Sequence, residues 1–254
     1  MQDAKHKALV VIPARYGSTR LPAKVLLKDS GKYLMQHTYE QILKCKLVGR
    51  IIIATDDMRV FKAAREFGAN ARMTSKHHTC GTERIAEVAR HLPYQYVINV
   101  QADEPQIDPK SVDKVIAILQ RNKNVDIATL ASPLSKKDIP DPNKVKVMLD
   151  KNNIAVCFKR LISNSELIIR CRGLCGVHNS KLYRHIGIYG YRKQALLRFV
   201  KLPQTESEKE LRLEQLRAME NGLKIKVAVI KKAFYGIDTP QDYQTFIRQI
   251  KRRV

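Results

Sequence analysis

Apolar positions along the chain follow two alternating rhythms. Residues 8–12 form an unbroken β-branched run ending at Pro13, the pattern of a buried strand. The stretch 13–24 is instead polar, combining turn formers and hydroxyls with the cations Arg15, Arg20 and Lys24, before helix-like spacing over about 34–45. Residues 48–55 predict a second strand ending at Asp56 and Asp57, and Val60, Ala63, Ala64 and Phe67 then recur at helical spacing up to Gly68, a C-terminal stop. Thr82 is placed to cap a helix with Ile85, Val88, Ala89 and Leu92 on one face. Residues 96–100 predict a strand that runs straight into Gln101, Ala102, Asp103 and Glu104. A helix carrying Val112, Val115, Ile116 and Leu119 follows, then a strand near 126–131. This β-α-β-α-β-α-β order predicts an α/β fold with a mostly parallel sheet flanked by helices.

The second half changes character. Residues 145–149, 154–158 and 185–191 read as strands with few helices between them, which predicts a smaller, mixed sheet. The segment 163–181 is polar, glycine-bearing and aperiodic, a long loop suited to a lid or dimer arm. Helices return over about 207–221, where Ser207 and Glu210 form a capping-box pattern, and over 239–252, where Pro240 occupies the first turn.

Composition narrows the function. The 254 residues carry 47 Lys+Arg against 24 Asp+Glu, a net charge of +23, and 44% are hydrophobic, enough for a large core. Such a surplus attracts polyanions. Its basic residues are nevertheless spread out, with short clusters only at Lys136-Lys137, Lys231-Lys232 and Lys251-Arg252-Arg253, so nucleic acid is not the expected partner. No apolar run approaches the roughly 20 residues of a membrane span, and the N-terminus lacks a signal-peptide core, so the cytoplasm is the expected compartment. Five cysteines, an odd number in a chain of this size, argue against a disulfide framework.

In an open parallel sheet, ligands bind beyond the carboxyl ends of the strands. Three loops qualify. Residues 15–24 offer cations and hydroxyls for a polyphosphate; Thr55-Asp56 follows the second strand; Asp103 and Glu104 offer carboxylates for a hard divalent metal. Together they suggest phosphoryl or nucleotidyl transfer, although neither G-x-x-x-x-G-K-[ST] nor G-x-G-x-x-G is present. Asp238, just before Thr239-Pro240, reads either as a second carboxylate of the site or as a helix cap. Cys171, Cys175, His178 and His185 put thiols and imidazoles close in sequence, but C-x₃-C-x₂-H is not a familiar zinc spacing.

Seven segments carry a resemblance that extends from about residue 8 to 245. They are residues 12–22 (IPARYGSTRLP), 54–56 (ATD), 81–84 (GTER), 99–105 (NVQADEP), 184–192 (RHIGIYGYR), 213–217 (LEQLR) and 237–240 (IDTP). In order and spacing they resemble the CMP-Kdo synthetases, the 3-deoxy-manno-octulosonate cytidylyltransferases of lipopolysaccharide biosynthesis. The resemblance implies a GT-A-like nucleotidyltransferase fold in a single domain over residues 1–254. Its nucleotide-binding part would span about 8–132, a sugar-binding and dimerisation elaboration about 133–235, and a C-terminal helix about 239–252.

The implied reaction is CTP + Kdo → CMP-Kdo + pyrophosphate with Mg²⁺, in a homodimer. At matching positions, Arg15 and Lys24 would serve the triphosphate, beside Ala14, and Ala54, Thr55 and Asp56 would border the cytosine. Gly81, Arg84 and Gln101 would hold nucleotide or sugar. Arg160, His185, Tyr189, Glu214 and Gln215 would line the sugar-acid side, and Asp103 and Asp238 would bind magnesium. The chain departs from the family pattern at Ala23 and Ala102, where Gly is usual, at Cys80, where Ser is usual, and at residues 161–164, where an Ile-Pro pair is usual. A left-handed backbone at 102 would strain an alanine there and displace Asp103.

Overall fold

The computed structural model describes residues 7–162, 181–231 and 233–252. The chain forms two compact units, residues 1–116 with 234–254, and residues 117–233. The strand near 127 therefore falls in the second unit, and the C-terminal helix returns to the first.

In the first unit, β1 (Ala8–Pro13), β2 (Val48–Thr55), β3 (Ala71–Met73) and β4 (Tyr96–Asn99) are parallel, in the order β3-β2-β1-β4. Val10 pairs with Ile51 on one side and Ile98 on the other, so every residue of β1 is buried. That placement explains its unbroken apolar run: a strand with neighbours on both edges and helices over the sheet has no polar face. Helices α1 (Leu34–Ile42), α2 (Met58–Glu66) and α3 (Gly81–Arg90) lie in the crossovers, and α4 (Pro109–Arg121) leaves β4.

Local chemistry sets the helix ends. Asp57 caps α2 by accepting from the Arg59 amide at 2.8 Å. Helix α3 begins one residue before the expected cap Thr82, which is buried in its first turn; the capping position is Cys80, whose side chain makes no cap hydrogen bond. A thiol is a weak acceptor. Glu83 partly substitutes by accepting from the Thr79 amide at 2.7 Å. Helix α1 stops at Ile42, short of Cys45, because the Lys44 and Cys45 amides turn back to Gln41 and Ile42 in a tightened final turn.

In the second unit, β5 (Ile127–Pro133) runs parallel to β9 (Ile225–Val229) and antiparallel to β8 (Lys181–Arg192). Strand β6 (Lys146–Leu149) pairs antiparallel with both β8 and β7 (Ala155–Lys159). The sheet is mixed, as the thinning of helices predicted. Strands β3 and β9 are additions to the sequence reading. The helix expected over 207–221 is two: α6 (Glu206–Leu211) and α7 (Glu214–Glu220), after the short α5 (Lys193–Phe199). Arg212 breaks it with a left-handed backbone, φ 51°. The cap of α6 is Thr205, accepting from the Glu208 amide, rather than the expected Ser207-Glu210 pair.

The loop expected over 163–181, and with it Cys171, Cys175 and His178, lies outside the described residues apart from Lys181, which opens β8. Among the described residues no group of three or more His, Cys, Asp or Glu is arranged to hold a metal, and no helix is long and apolar enough to cross a membrane.

The last helix of the first unit, α8 (Pro240–Lys251), is fastened by a reciprocal cap: Thr239 accepts from the Asp242 amide, and Asp242 accepts from the Thr239 amide. Tyr243, Phe246 and Ile247 then bury against Leu34 and Ile237, with Leu21 and Leu27 at the edge. This docking brings the preceding segment back beside β4, where the Ile237 amide donates to the Asp103 carbonyl at 2.8 Å.

Candidate active site

The carboxyl edge of the first unit's sheet gathers residues far apart in sequence. Lys24 heads a short 3-10 turn, Lys24–Leu26, and its ammonium donates to Asp103, to Asp238 Oδ1 at 3.0 Å and to the Ile237 carbonyl at 3.0 Å. Burial alone would lower the Lys24 pKa; the flanking carboxylates, Asp103 first, outweigh it and leave the pKa raised. The lysine is therefore fully charged at neutral pH.

Asp238 is not the helix cap, because Thr239 and Asp242 close that end by themselves. Its carboxylate is turned to Lys24 and to Arg20, 3.2 Å away. Of the two sequence readings of Asp238, the site carboxylate is the one this geometry favours.

Two oxygen-bearing side chains meeting on one ammonium also bear on a metal. Both carboxylates reach the same Nζ, so their oxygens converge on a single cation-sized position. Magnesium is commonly held by one or two carboxylates plus substrate phosphates, so this donor set fits it. Glu104 sharpens the picture. It is buried, its Oε2 has no hydrogen-bond partner among the described residues, and burial together with the charges of Asp103 and Asp238 pushes its pKa up to about 8. Glu104 is thus kept protonated at neutral pH beside two carboxylates that Lys24 and Arg20 already pair.

The two family glycines replaced by alanine behave differently. Ala102 is buried and is not among the positive-φ residues; its carbonyl accepts from Thr38 Oγ1 at 3.1 Å. The expected strain at 102 is therefore absent, because this loop does not use the left-handed region there. Ala23 does, with φ 51° and ψ 26°, immediately before Lys24.

Around the residues expected to border the cytosine, the Ala14 amide donates to the Ala54 carbonyl at 2.9 Å, Thr55 is buried, and Asp56 follows it. Arg84 is 1% exposed, with Nη2 2.9 Å from Asp56 and Nη1 donating to Thr74. Its guanidinium braces the wall formed by Thr55 and Asp56 and is not presented as an open fork. A Cβ on Gly81 would make only ordinary contact with Pro13, and Gln101 donates to Asn99 at 3.2 Å. Arg15 is exposed at the head of its loop.

In the second unit, Tyr189, Glu214 and Gln215 line one cavity together with Ile127, Tyr191, Phe199 and Ala218. Burial, Tyr191 and Glu214 raise the Tyr189 pKa well above its ordinary value, so it is a neutral phenol. His185 lies at ring-contact distance from both Phe158 and Tyr189, and burial lowers its pKa to about 3. Thr129 Oγ1 gives its one proton to the Ile188 carbonyl at 2.6 Å, so it accepts from His185 Nε2 at 2.9 Å; this assigns the proton of the neutral imidazole to Nε2. Arg160, expected on the sugar-acid side, is engaged by backbone instead. Its donors go to the carbonyls of Pro142, Leu211 and Arg212, which braces the break between α6 and α7.

Arg20 and Glu104 stand in the two loops the sequence singled out for a polyphosphate and a metal, without roles of their own there. Arg59 had no signal: it pairs with Asp57 and sits 3.3 Å over the Tyr16 ring, tying the phosphate-type loop to α2.

A parallel sheet edge that sets a lysine- and arginine-bearing loop against two converging carboxylates defines a nucleotidyltransferase-type α/β protein. Known proteins agree. The family pattern described as Cytidylyltransferase matches residues 9–225. The chain is 39% identical over 252 residues to a 3-deoxy-manno-octulosonate cytidylyltransferase of Geobacter sulfurreducens, covering 95% of this chain and 98% of the relative. It is 42% identical over 245 residues to one from Thermodesulfovibrio yellowstonii, covering 93% and 95%. A solved CMP:2-keto-3-deoxy-manno-octonic acid synthetase complexed with CTP superposes with a TM-score of 0.87 at 34% identity, covering 98% of this chain and all of that one. The chain belongs to the cytidylyltransferase family.

Proposed function

We propose that the chain transfers the cytidylyl group of CTP to Kdo, giving CMP-Kdo and pyrophosphate, as a step of lipopolysaccharide biosynthesis. The observation that carries this reading is the meeting of Asp103 and Asp238 on Lys24 at the sheet edge, in a chain similar along its length to 3-deoxy-manno-octulosonate cytidylyltransferases. A sugar hydroxyl oxygen attacks the α-phosphorus, and negative charge builds on the phosphoryl oxygens and the departing pyrophosphate. Placement and charge stabilisation are most of what such a transfer needs.

Lys24 and Arg15 neutralise the triphosphate, with Ala14 at the loop entrance and Arg20 beside Asp238. Ala54, Thr55 and Asp56 border the cytosine, held by Arg84 from behind; Gly81 and Gln101 lie on the nucleotide side. Glu214, Gln215 and the neutral Tyr189 offer hydrogen bonds to sugar hydroxyls, while His185 and Arg160 support that pocket. Asp103 and Asp238 would hold Mg²⁺, which when bound supplies Lewis-acid stabilisation of the phosphoryl oxygens. Lys24, held between the two carboxylates, supplies positive charge at the place proposed for the triphosphate. The working form we propose is a cytoplasmic homodimer.

A pyrophosphate-release assay with CTP, Mg²⁺ and a panel of Kdo, 8-amino-Kdo and sialic acid tests the reading. Release with Kdo is expected. Release with none of the three, from folded protein, would refute it.

A further inference from the structure

The cavity lined by Glu214 and Gln215 has two walls, and one buried residue touches both. One wall is a run of rings: Phe199 stacks on Tyr191 at 6.4 Å between centroids, Tyr191 on Tyr189 at 6.1 Å, and Tyr189 meets His185 at 5.2 Å. The other is the first turn of α7, which carries Glu214 and Gln215. Arg217, one turn further along α7 and 5% exposed, lies with its guanidinium 4.6 Å over the Phe199 ring and its Nη2 3.5 Å from Glu214 Oε1.

The same guanidinium is held from behind. Its Nη1 donates to the Leu202 carbonyl at 2.9 Å, and its Nε lies 3.2 Å from Glu208 Oε2. That Glu208 contact is an ion pair at close range without hydrogen-bond alignment, since neither atom completes a hydrogen bond. Glu208 is itself buried in the first turn of the Thr205-capped helix α6. A planar cation between a ring, two carboxylates and a carbonyl has few other orientations available, and lysine cannot reproduce it.

We propose that Arg217 is a positioning residue for the sugar acid: it fixes the spacing between the Phe199 end of the ring run and the Glu214 carboxylate. This rests on the reading that Glu214 and Gln215 face the sugar. Arg217 touches no substrate. It acts by holding Glu214 at one rotamer and the ring wall at one distance, so its loss affects sugar recognition and not CTP recognition.

The test compares wild type with Arg217→Lys, which keeps a cation beside Glu208 but loses the fork. A second variant, Arg217→Met combined with Glu208→Leu, removes both buried charges together so that neither is left unpaired. For each, KM is measured separately for Kdo and CTP, with melting temperature alongside. Both variants are expected to raise the Kdo KM by about tenfold, the size of one lost well-oriented interaction, and to leave the CTP KM within about twofold. Melting-temperature loss with both KM values unchanged, or equal rises in the two, would make Arg217 merely structural and overturn the inference while the proposed function stands. Absence of Kdo-dependent turnover in the wild type would instead remove the functional reading, and this inference with it.

Discussion

Ala23→Gly should stabilise the protein, against the usual direction for that change. Ala23 holds φ 51° and ψ 26°, where a Cβ crowds the neighbouring carbonyl at about 1–2 kcal/mol. Glycine removes that strain but gives the unfolded chain more freedom, which costs about 0.4–1 kcal/mol. The difference leaves a gain of roughly 0.5–1 kcal/mol, or about 1–4 °C in melting temperature for a protein of this size. Ala102→Gly supplies the opposite sign. That alanine is buried with an ordinary φ, so glycine loses backbone restriction and a buried methyl, together about 1.5 kcal/mol of destabilisation. Denaturant melts of the two variants beside the wild type read both values. A less stable Ala23→Gly, or a more stable Ala102→Gly, would refute the assignment of left-handed backbone to 23 and not 102.

Asp103→Asn and Asp238→Asn should each cut turnover by about a hundredfold or more with little change in melting temperature, whereas Asp242→Ala should cost about 1 kcal/mol of stability through the lost α8 cap; steady-state rates and melts separate the two. Arg84→Gln should lower the melting temperature and raise the CTP KM more than the Kdo KM, because the side chain braces Asp56; a Kdo-specific defect would restore it to the sugar side. His185 has a folded pKa near 3 against about 6.5 unfolded, so its contribution to stability is complete above pH 6.5 and is lost as pH falls from there toward 3. His185→Gln should therefore flatten the fall of melting temperature between pH 6.5 and 4.5, and an unchanged slope would contradict the burial of a neutral imidazole.

Strands β1, β2 and β4 of the first unit were legible because each carries an apolar run followed at once by a polar loop, as at Ile12-Pro13 and Val100-Gln101, whereas the three-residue β3, Ala-Arg-Met, has no such run. Long-range partnerships were less legible. Nothing local in residues 235–240 shows that Tyr243, Phe246 and Ile247 would dock α8 and carry Asp238 back to Asp103, and the local pattern favoured a cap. The ring run of His185, Tyr189, Tyr191 and Phe199 was equally hidden, since its members come from two elements. Side-chain allegiance was the hardest to read: Arg84 and Arg160 look like free cations in the sequence, yet each is engaged by protein groups.

The central claim is nucleotidyl transfer from CTP to a sugar acid, and ³¹P NMR of a mixture of protein, CTP, Kdo and Mg²⁺ tests it most directly. The account predicts that the triphosphate signals disappear together, replaced by equal amounts of inorganic pyrophosphate and a phosphodiester that joins cytidine to the sugar. Formation of CDP with a phosphorylated sugar, or intact CTP after prolonged incubation, would contradict it.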